Sequence, residues 1–224
     1  MNIKNIYEDK YKYDVPQQFN SYYRNLLLKR VIKDYIKPGK RILDLGCNDG
    51  VVAEYLESIG LNAVGFDISE RSLGMAKQRG LRKLVLGNVE SPLPFEDSSF
   101  DIVWWGDNVE HLFEPLKTLK EIDRILKNDG LLFLSFPNTG WFINRIYYLF
   151  TGMIRRTEGH LNPPWEWEHI RFFNRSVMKS FLKEGGFRME RAWSTDQRVF
   201  LRLPSLILPS LCGSIMIIVA RRNV

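Results

Sequence analysis

The chain has only two cysteines in 224 residues, Cys47 and Cys212, far apart in sequence. That excludes a disulfide framework and a cysteine-rich zinc site. It also lacks a long apolar run. The stretch Leu206–Ala220 comes closest, but Pro209, Ser210, Gly213 and Ser214 interrupt it and it is too short to span a bilayer. The first residues, MNIKNIYEDKYKYD, have no apolar core and do not read as a signal peptide. There is no internal repeat, no low-complexity linker and no run of five like charges. A soluble cytoplasmic protein is the expectation. The net charge of +6 is spread along the chain, so it reads as a solvated lysine-rich surface and not as a nucleic-acid footprint.

What is present is the composition of an ordinary globular domain, 45% hydrophobic and 26% charged, and enough chain to bury a core. Apolar positions at Phe19, Tyr22, Tyr23, Leu26, Leu27, Val31 and Ile32 predict a helix over 15–36, ended by Pro38-Gly39. Short apolar runs and helical periods then alternate. Strands are predicted at 41–45, 62–66, 83–86, 100–104 and 131–136. Helices fall at 50–58, at 70–79 behind a Ser69 cap, and at 115–126 behind a proline, the last ending in an Asn128-Asp129-Gly130 turn. This order predicts an α/β fold with a doubly wound, mostly parallel sheet and helices on both faces.

Past residue 136 the alternation stops. Residues 137–172 are rich in Trp, Tyr, Phe and Pro without a clean period. A helix is predicted at 175–184, with Val177, Met178, Phe181 and Leu182 inward. Two runs, 187–193 and 214–220, are read as an antiparallel strand pair closing a seven-stranded sheet. The whole is expected to be one domain. Residues 1–37 form a helical cover, 40–136 a cofactor-binding core, 137–172 an acceptor-site insertion or lid, and 173–224 the closing helix and strand pair.

In an open parallel sheet the ligand lies beyond the carboxyl ends of the strands, so the loop after strand one is the place to look. It reads Asp44-Leu-Gly46-Cys47-Asn48-Asp49-Gly50. A triphosphate loop needs a Lys-Ser/Thr pair that is absent, and a dinucleotide loop needs glycines where Asn48 and Val51 stand. The carboxylates of Asp44 and Asp49 would repel a pyrophosphate and suit a cation.

The loop resembles the Asp-x-Gly-x-Gly-x-Gly loop of class I S-adenosylmethionine-dependent methyltransferases, with Asn48 at the middle glycine. Asparagine tolerates a left-handed backbone. Three later segments extend the resemblance: Asp67 after strand two, Gly87-Asn88-Val89-Glu90-Ser-Pro-Leu-Pro-Phe95 after strand three, and Asp101 through Glu110-His111-Leu112 after strand four. The resemblance covers residues 40–136. It implies methyl transfer from S-adenosylmethionine, leaving S-adenosylhomocysteine. It also implies cofactor contacts from Asp44, Gly46, Cys47, Asn48, Gly50, Asp67, Ile68, Asn88, Val89, Gly106 and Asp107. In the family the residue at Asp67 takes the ribose hydroxyls; a plain turn aspartate before Ser69 is the other reading. At Asn88 the family has an acid facing the adenine amino group, and the amide oxygen can still accept.

On the acceptor side, His169 lies in Glu168-His169-Ile-Arg171-Phe-Phe173, which resembles a segment of family members acting on small metabolites and cell-surface sugars or lipids. It is the candidate base for O-methylation of a small or lipid-linked polar acceptor; packing on the sheet rim is the other reading. Asp107, Glu110 and His111 resemble a divalent-metal site of a methyltransferase subset, completed by His160 or His169; the expectation is that no metal is used. Residues 141–150 are apolar on most sides. They read as a lid, or as a lip touching membrane with Arg145, Arg155 and Arg156 beside it. The alternatives left open are a metal-dependent RNA ribose methyltransferase and a cofactor-binding regulatory partner with weak catalysis.

Overall fold

A computed structural model of the chain describes residues 18–153, 155, 169–196 and 208–223. Helix α1 spans Tyr23–Val31, β1 Arg41–Leu45, α2 Val51–Ser58, β2 Asn62–Asp67, α3 Glu70–Gln78, β3 Leu84–Leu86 and β4 Phe100–Gly106. Then follow α4 Pro115–Ile125, β5 Leu126–Pro137, α5 Phe142–Thr151, α6 Arg175–Glu184, β6 Phe187–Thr195 and β7 Ile215–Arg222. The strands form one seven-stranded sheet in the order β3-β2-β1-β4-β5-β7-β6. The first five are parallel, and β7 runs antiparallel to both β5 and β6. The winding reverses between β1 and β4, so a ligand crevice belongs at their carboxyl ends.

Strand alternation builds two cores. Ile42, Ile102, Trp104, Leu131, Phe133, Ile217 and Val219 face α1, α2 and α3, which contribute Leu28, Val52 and Ala76. Leu43, Val103, Trp105, Leu132, Leu134 and Ile218 face the other way, against Leu119 and Ile122 of α4 and Met178 and Leu182 of α6. Ser69 caps α3 by accepting from Ser72 N–H at 3.1 Å, as the sequence anticipates. Asn174 caps α6, accepting from Ser176 and Val177 N–H.

The differences have local causes. The N-terminal helix is broken at Tyr22, which is extended, and residues 15–17 lie outside the described residues. A tight turn at Phe19–Ser21 lets Phe19 stack on Tyr55 of α2 at 4.2 Å, and Asn25 donates to the Phe19 carbonyl at 3.1 Å. Residues 128–130 are not a free turn. They bulge out of a β5 that already pairs at Leu126 with Phe100 and resumes at Leu131 with Ile102. Arg221 and Arg222 of β7 hold the bulge through the Asp129 carbonyl and the Asn128 side chain. Val177 is 45% exposed and does not join Met178 and Leu182 inside.

Gly50 and Gly74 give a test of the α2–α3 contact. A Cβ on Gly50 would lie 2.5 Å from Leu81 Cδ1 and 2.8 Å from Ala76 Cβ, at φ +77; one on Gly74 meets nothing within 4 Å. In urea unfolding, Gly50→Ala should cost roughly 2–4 kcal/mol through overpacking and left-handed strain. Gly74→Ala, in an open helical position, should gain about 0.5–1 kcal/mol.

Candidate functional site

Beyond β1 the backbone passes through three left-handed positions, Gly46 at φ +78, Asn48 at φ +49 and Gly50 at φ +77. Gly46 and Cys47 N–H both donate to the Phe66 carbonyl at the end of β2. A Cβ on Gly46 would sit 2.8 Å from Asn108 Nδ2, so this loop and the one after β4 touch. Gly50 serves packing against Ala76 and Leu81. Cys47 is buried beside Gly65, so it offers a ligand its backbone and not its thiol. Burial, with Asp44 and Asp67 beside it, pushes that thiol's pKa up.

The loop carboxylates divide their work. Asp49 is bound by Arg79 at 2.5 Å, and Arg79 also donates to the Asp49 carbonyl at 2.8 Å, so this acid is compensated by α3's C-terminal end. Asp67 accepts from Asn48 N–H at 2.8 Å and from Ser69 N–H at 2.9 Å. It is therefore a turn aspartate that also ties the two loops together. Ile68 beside it is half-buried. Asp44 is 2% exposed and its Oδ2 has no hydrogen-bond partner. Burial raises its pKa to about 7, opposed by Arg24 and reinforced by Asp67 and Asp49. The Oδ1 of Asn48 is likewise buried without a partner.

Asn88 turns its side-chain oxygen onto Glu90 N–H at 2.9 Å, and Val89 is buried with its carbonyl accepting from the Thr118 hydroxyl. The rest of that segment is stapled to α4 by Arg124, which donates to the carbonyls of Leu93 and Phe95. Gly106 is packed over the Trp104 ring. Asp107, at φ +45, accepts from the Ser135 hydroxyl at 2.6 Å and pairs with Arg24 at 2.9 Å. Arg24 was not legible as a site residue. It reaches over the Trp104 ring, 5.9 Å from its centroid, from a helix 83 positions away, and nothing local marks it.

A second group lies along the same rim. His169 Nε2 is 3.9 Å from Glu110 Oε1, and the His111 and His169 rings meet edge-on at 4.6 Å. Ligand atoms of Glu110, His111 and His169 all fall within 4.8 Å of one another. Two backbone bonds hold the arrangement, from Ile170 and Arg171 N–H to the Glu110 carbonyl, each 3.0 Å. Asp107 does not join this cluster, because Arg24 and Ser135 take its carboxylate. His160 lies outside the described residues.

Residues 43–134 match the family described as "Methyltransferase domain". An uncharacterized protein of Methanocaldococcus jannaschii is 28% identical over 209 residues, covering 88% of this chain and 80% of its own length. A ubiquinone biosynthesis O-methyltransferase of Paraburkholderia phymatum is 28% identical over 153 residues, 66% of this chain; the chain spans 64% of that protein. Among solved structures, a SAM-dependent methyltransferase from Aquifex aeolicus superposes with a TM-score of 0.60 at 21% identity, covering 88% of this chain and 89% of its own. No helix among the described residues is long and apolar enough to cross a membrane.

Asp44 makes the ligand-free protein pH-sensitive. Its carboxyl ionises near 3.8 unfolded and about 7 folded, so between these values the unfolded chain has lost a proton that the folded chain keeps. Stability therefore falls as pH rises through that window, and the loss is complete above about 7. Asp44→Asn should flatten this part of the profile and raise stability at pH 8 by on the order of a few kcal/mol, read from urea midpoints across pH.

Proposed function

The chain carries a methyltransferase domain of the S-adenosylmethionine-dependent class, and on that premise we propose that it O-methylates a small or lipid-linked polar acceptor with His169 as the base. One observation carries the reading. The loop that follows the buried carboxylate of Asp44, whose Oδ2 has no hydrogen-bond partner, touches, through Gly46 and Asn108, the loop that leads directly into Glu110, His111 and the docked His169.

The residues fit the cofactor. A buried carboxylate oxygen with no donor is costly, and an ammonium group is the donor it lacks. Arg24, an opposite charge at the same strand ends that pairs with Asp107 at 2.9 Å, can share its remaining N–H groups with the carboxylate of a zwitterionic amino acid. The carboxylate of Asp67 at the end of β2 suits a ribose diol, Ile68 an apolar ring face, and Asn88 with Val89 the edge of a base. When bound, S-adenosylmethionine supplies a methyl group on a positively charged sulfur, already activated for displacement.

The chain's own task is then alignment and proton removal. Gly46, Asn48, Gly106 and Asp107 shape the rim that holds the cofactor. His169 takes the proton from the acceptor hydroxyl on its imidazole. Glu110, nearly buried at 3.9 Å, orients the imidazole and favours its charged form as the proton arrives. In this reading residues 40–136 hold the cofactor, the described part of 1–37 lies beside it, the described part of 137–172 serves the acceptor, and the described part of 173–224 closes the sheet; the rest of these stretches lies outside the described residues.

His169→Ala should lower kcat roughly 10²–10⁴-fold while leaving S-adenosylmethionine affinity, measured by calorimetry, unchanged. Unaltered turnover with preserved affinity would remove His169 from the chemistry.

A second reading has one specific support, the convergence of Glu110, His111 and His169 within 4.8 Å. An oxygen and two imidazoles suit a divalent ion that lowers an acceptor hydroxyl's pKa. In this reading the purified protein contains about one equivalent of metal, chelator abolishes turnover, and Glu110→Gln loses the metal. Full activity after chelation in metal-free protein would close it.

A further inference from the structure

Among the described residues, the contacts that anchor helix α5 lie at one end. Asn138 fixes its root, donating to the Gly213 carbonyl at 2.8 Å and accepting from Gly140 N–H at 3.0 Å. Asn144 donates back to the Asn138 carbonyl at 3.0 Å, and Arg145 Nε to the Gly140 carbonyl at 2.9 Å. Trp141 and Asn144 are buried. From Arg145 onward every residue of the helix is exposed. Exposure climbs from 49% at Ile146 to 77% at Leu149 and 81% at Phe150, with Tyr147, Tyr148 and Met153 also open.

Ile146 to Phe150 are five successive positions, and at about 100° per residue they pass fully around the helix axis. The tip is therefore apolar and aromatic on all sides. A flat protein partner covers one side of a helix; a fluid covers all of them. The charge points the same way. No Asp or Glu occurs between Asp129 and Glu158, whereas Arg145, Arg155 and Arg156 do. Arg145 is exposed at the foot of the tip, and the Arg155 guanidinium lies 5.3 Å from the centroid of Trp141. Tyrosines beside cations at the foot of an apolar tip match the order of a bilayer surface, acyl region inside and anionic headgroups outside. The five residues rise about 7 Å along the axis, within the usual depth of an interfacial insertion of about 5–10 Å.

We propose that the tip of α5, Ile146 to Phe150 with Met153, inserts into the surface of an anionic lipid bilayer, with Arg145 and Arg155 against the headgroups. The tip shares its root with the acceptor rim, because Asn138 bridges Phe173 and Thr139 N–H donates to the Phe173 carbonyl at 2.9 Å, four residues after His169. Docking would hold that rim at the membrane, where a lipid-linked hydroxyl is presented. The docking stands on the surface alone. Only its use in presenting an acceptor rests on the proposed methyl transfer.

The test is co-sedimentation of the full chain with vesicles of phosphatidylcholine alone and of phosphatidylcholine with phosphatidylglycerol. Leu149→Glu, Phe150→Glu and Arg145→Ala are run alongside, with sedimentation velocity and S-adenosylmethionine calorimetry on each. The wild type should partition onto the anionic vesicles and less so at high salt. Either glutamate variant should weaken partitioning roughly tenfold or more, with cofactor affinity intact as the check on folding. A wild type that stays in the supernatant with both vesicles overturns the proposal, as do glutamate variants that sediment like the wild type. A wild-type dimer that Phe150→Glu splits, without vesicle binding, assigns the tip to a second copy and overturns it too. Absence of cofactor binding in the wild type counts against the methyl-transfer reading alone, because the vesicle result is scored separately.

Discussion

The site depends on one constraint at the end of β1. The chain must leave a fully buried strand and enter α2 within the residues Gly46 to Gly50, and it does so by placing three of them in the left-handed region. Glycine reaches that region freely; asparagine is among the few other residues that do so at modest cost. The conformation aims the N–H groups of Gly46 and Cys47 at the Phe66 carbonyl and that of Asn48 at the Asp67 carboxylate. It thus locks β1's loop to β2's end. It also brings Gly46 against Asn108, where any side chain would push the β4 loop away. One tight turn consequently sets the distance between three strand ends.

The acceptor side is assembled by different means. Its residues come from a short turn after β4 and from a segment some sixty positions later, joined by two N–H groups on one carbonyl of Glu110. Each such bond adds only about 1 kcal/mol net. The Arg171 side chain adds a further bond to the Phe113 carbonyl at 2.8 Å, and Thr139 ties Phe173 to the end of β5. In the proposed reading the cofactor side rests on sheet geometry and the acceptor side on a docked segment, a division that would let one sheet carry different acceptor chemistries.

Much of the fold was legible because its signals are local. Buried strands read as apolar runs, and the cap and the proline start fall where expected, at Ser69 and Pro115. The Asp44–Gly50 loop announces its own turn. What was not legible depends on distant partners. The Asn128–Gly130 bulge looks like a turn until Arg221 and Arg222 of β7 hold it inside the strand. Arg24 looks like any exposed helical arginine until Asp107 and Trp104 face it. Asp107, Glu110 and His111 look like one ligand set by spacing. The backbone at Asp107 is left-handed and its side chain turns to Ser135, so only the latter two meet His169.

The loop acids show why residue type alone misassigns charge. Asp44, Asp49, Asp67 and Asp107 all gather near the ends of β1, β2 and β4, which suggests a strongly acidic pocket. Asp49 is neutralised by Arg79, Asp107 by Arg24, and Asp67 is bound by two backbone N–H groups. Asp44 alone keeps a buried oxygen without a donor, and its pKa near 7 reflects that deficit. Arg24 lowers that pKa from across the crevice, so positive and negative charge face one another over the β1–β4 switch point. A purely cationic ligand would satisfy Asp44 and be repelled by Arg24; an anionic one would meet the reverse. A zwitterion with its ammonium toward Asp44 suits both where its carboxylate shares Arg24 with Asp107, which already pairs with it at 2.9 Å. The pairing of these two residues therefore favours an amino-acid-bearing ligand more directly than the glycine pattern does.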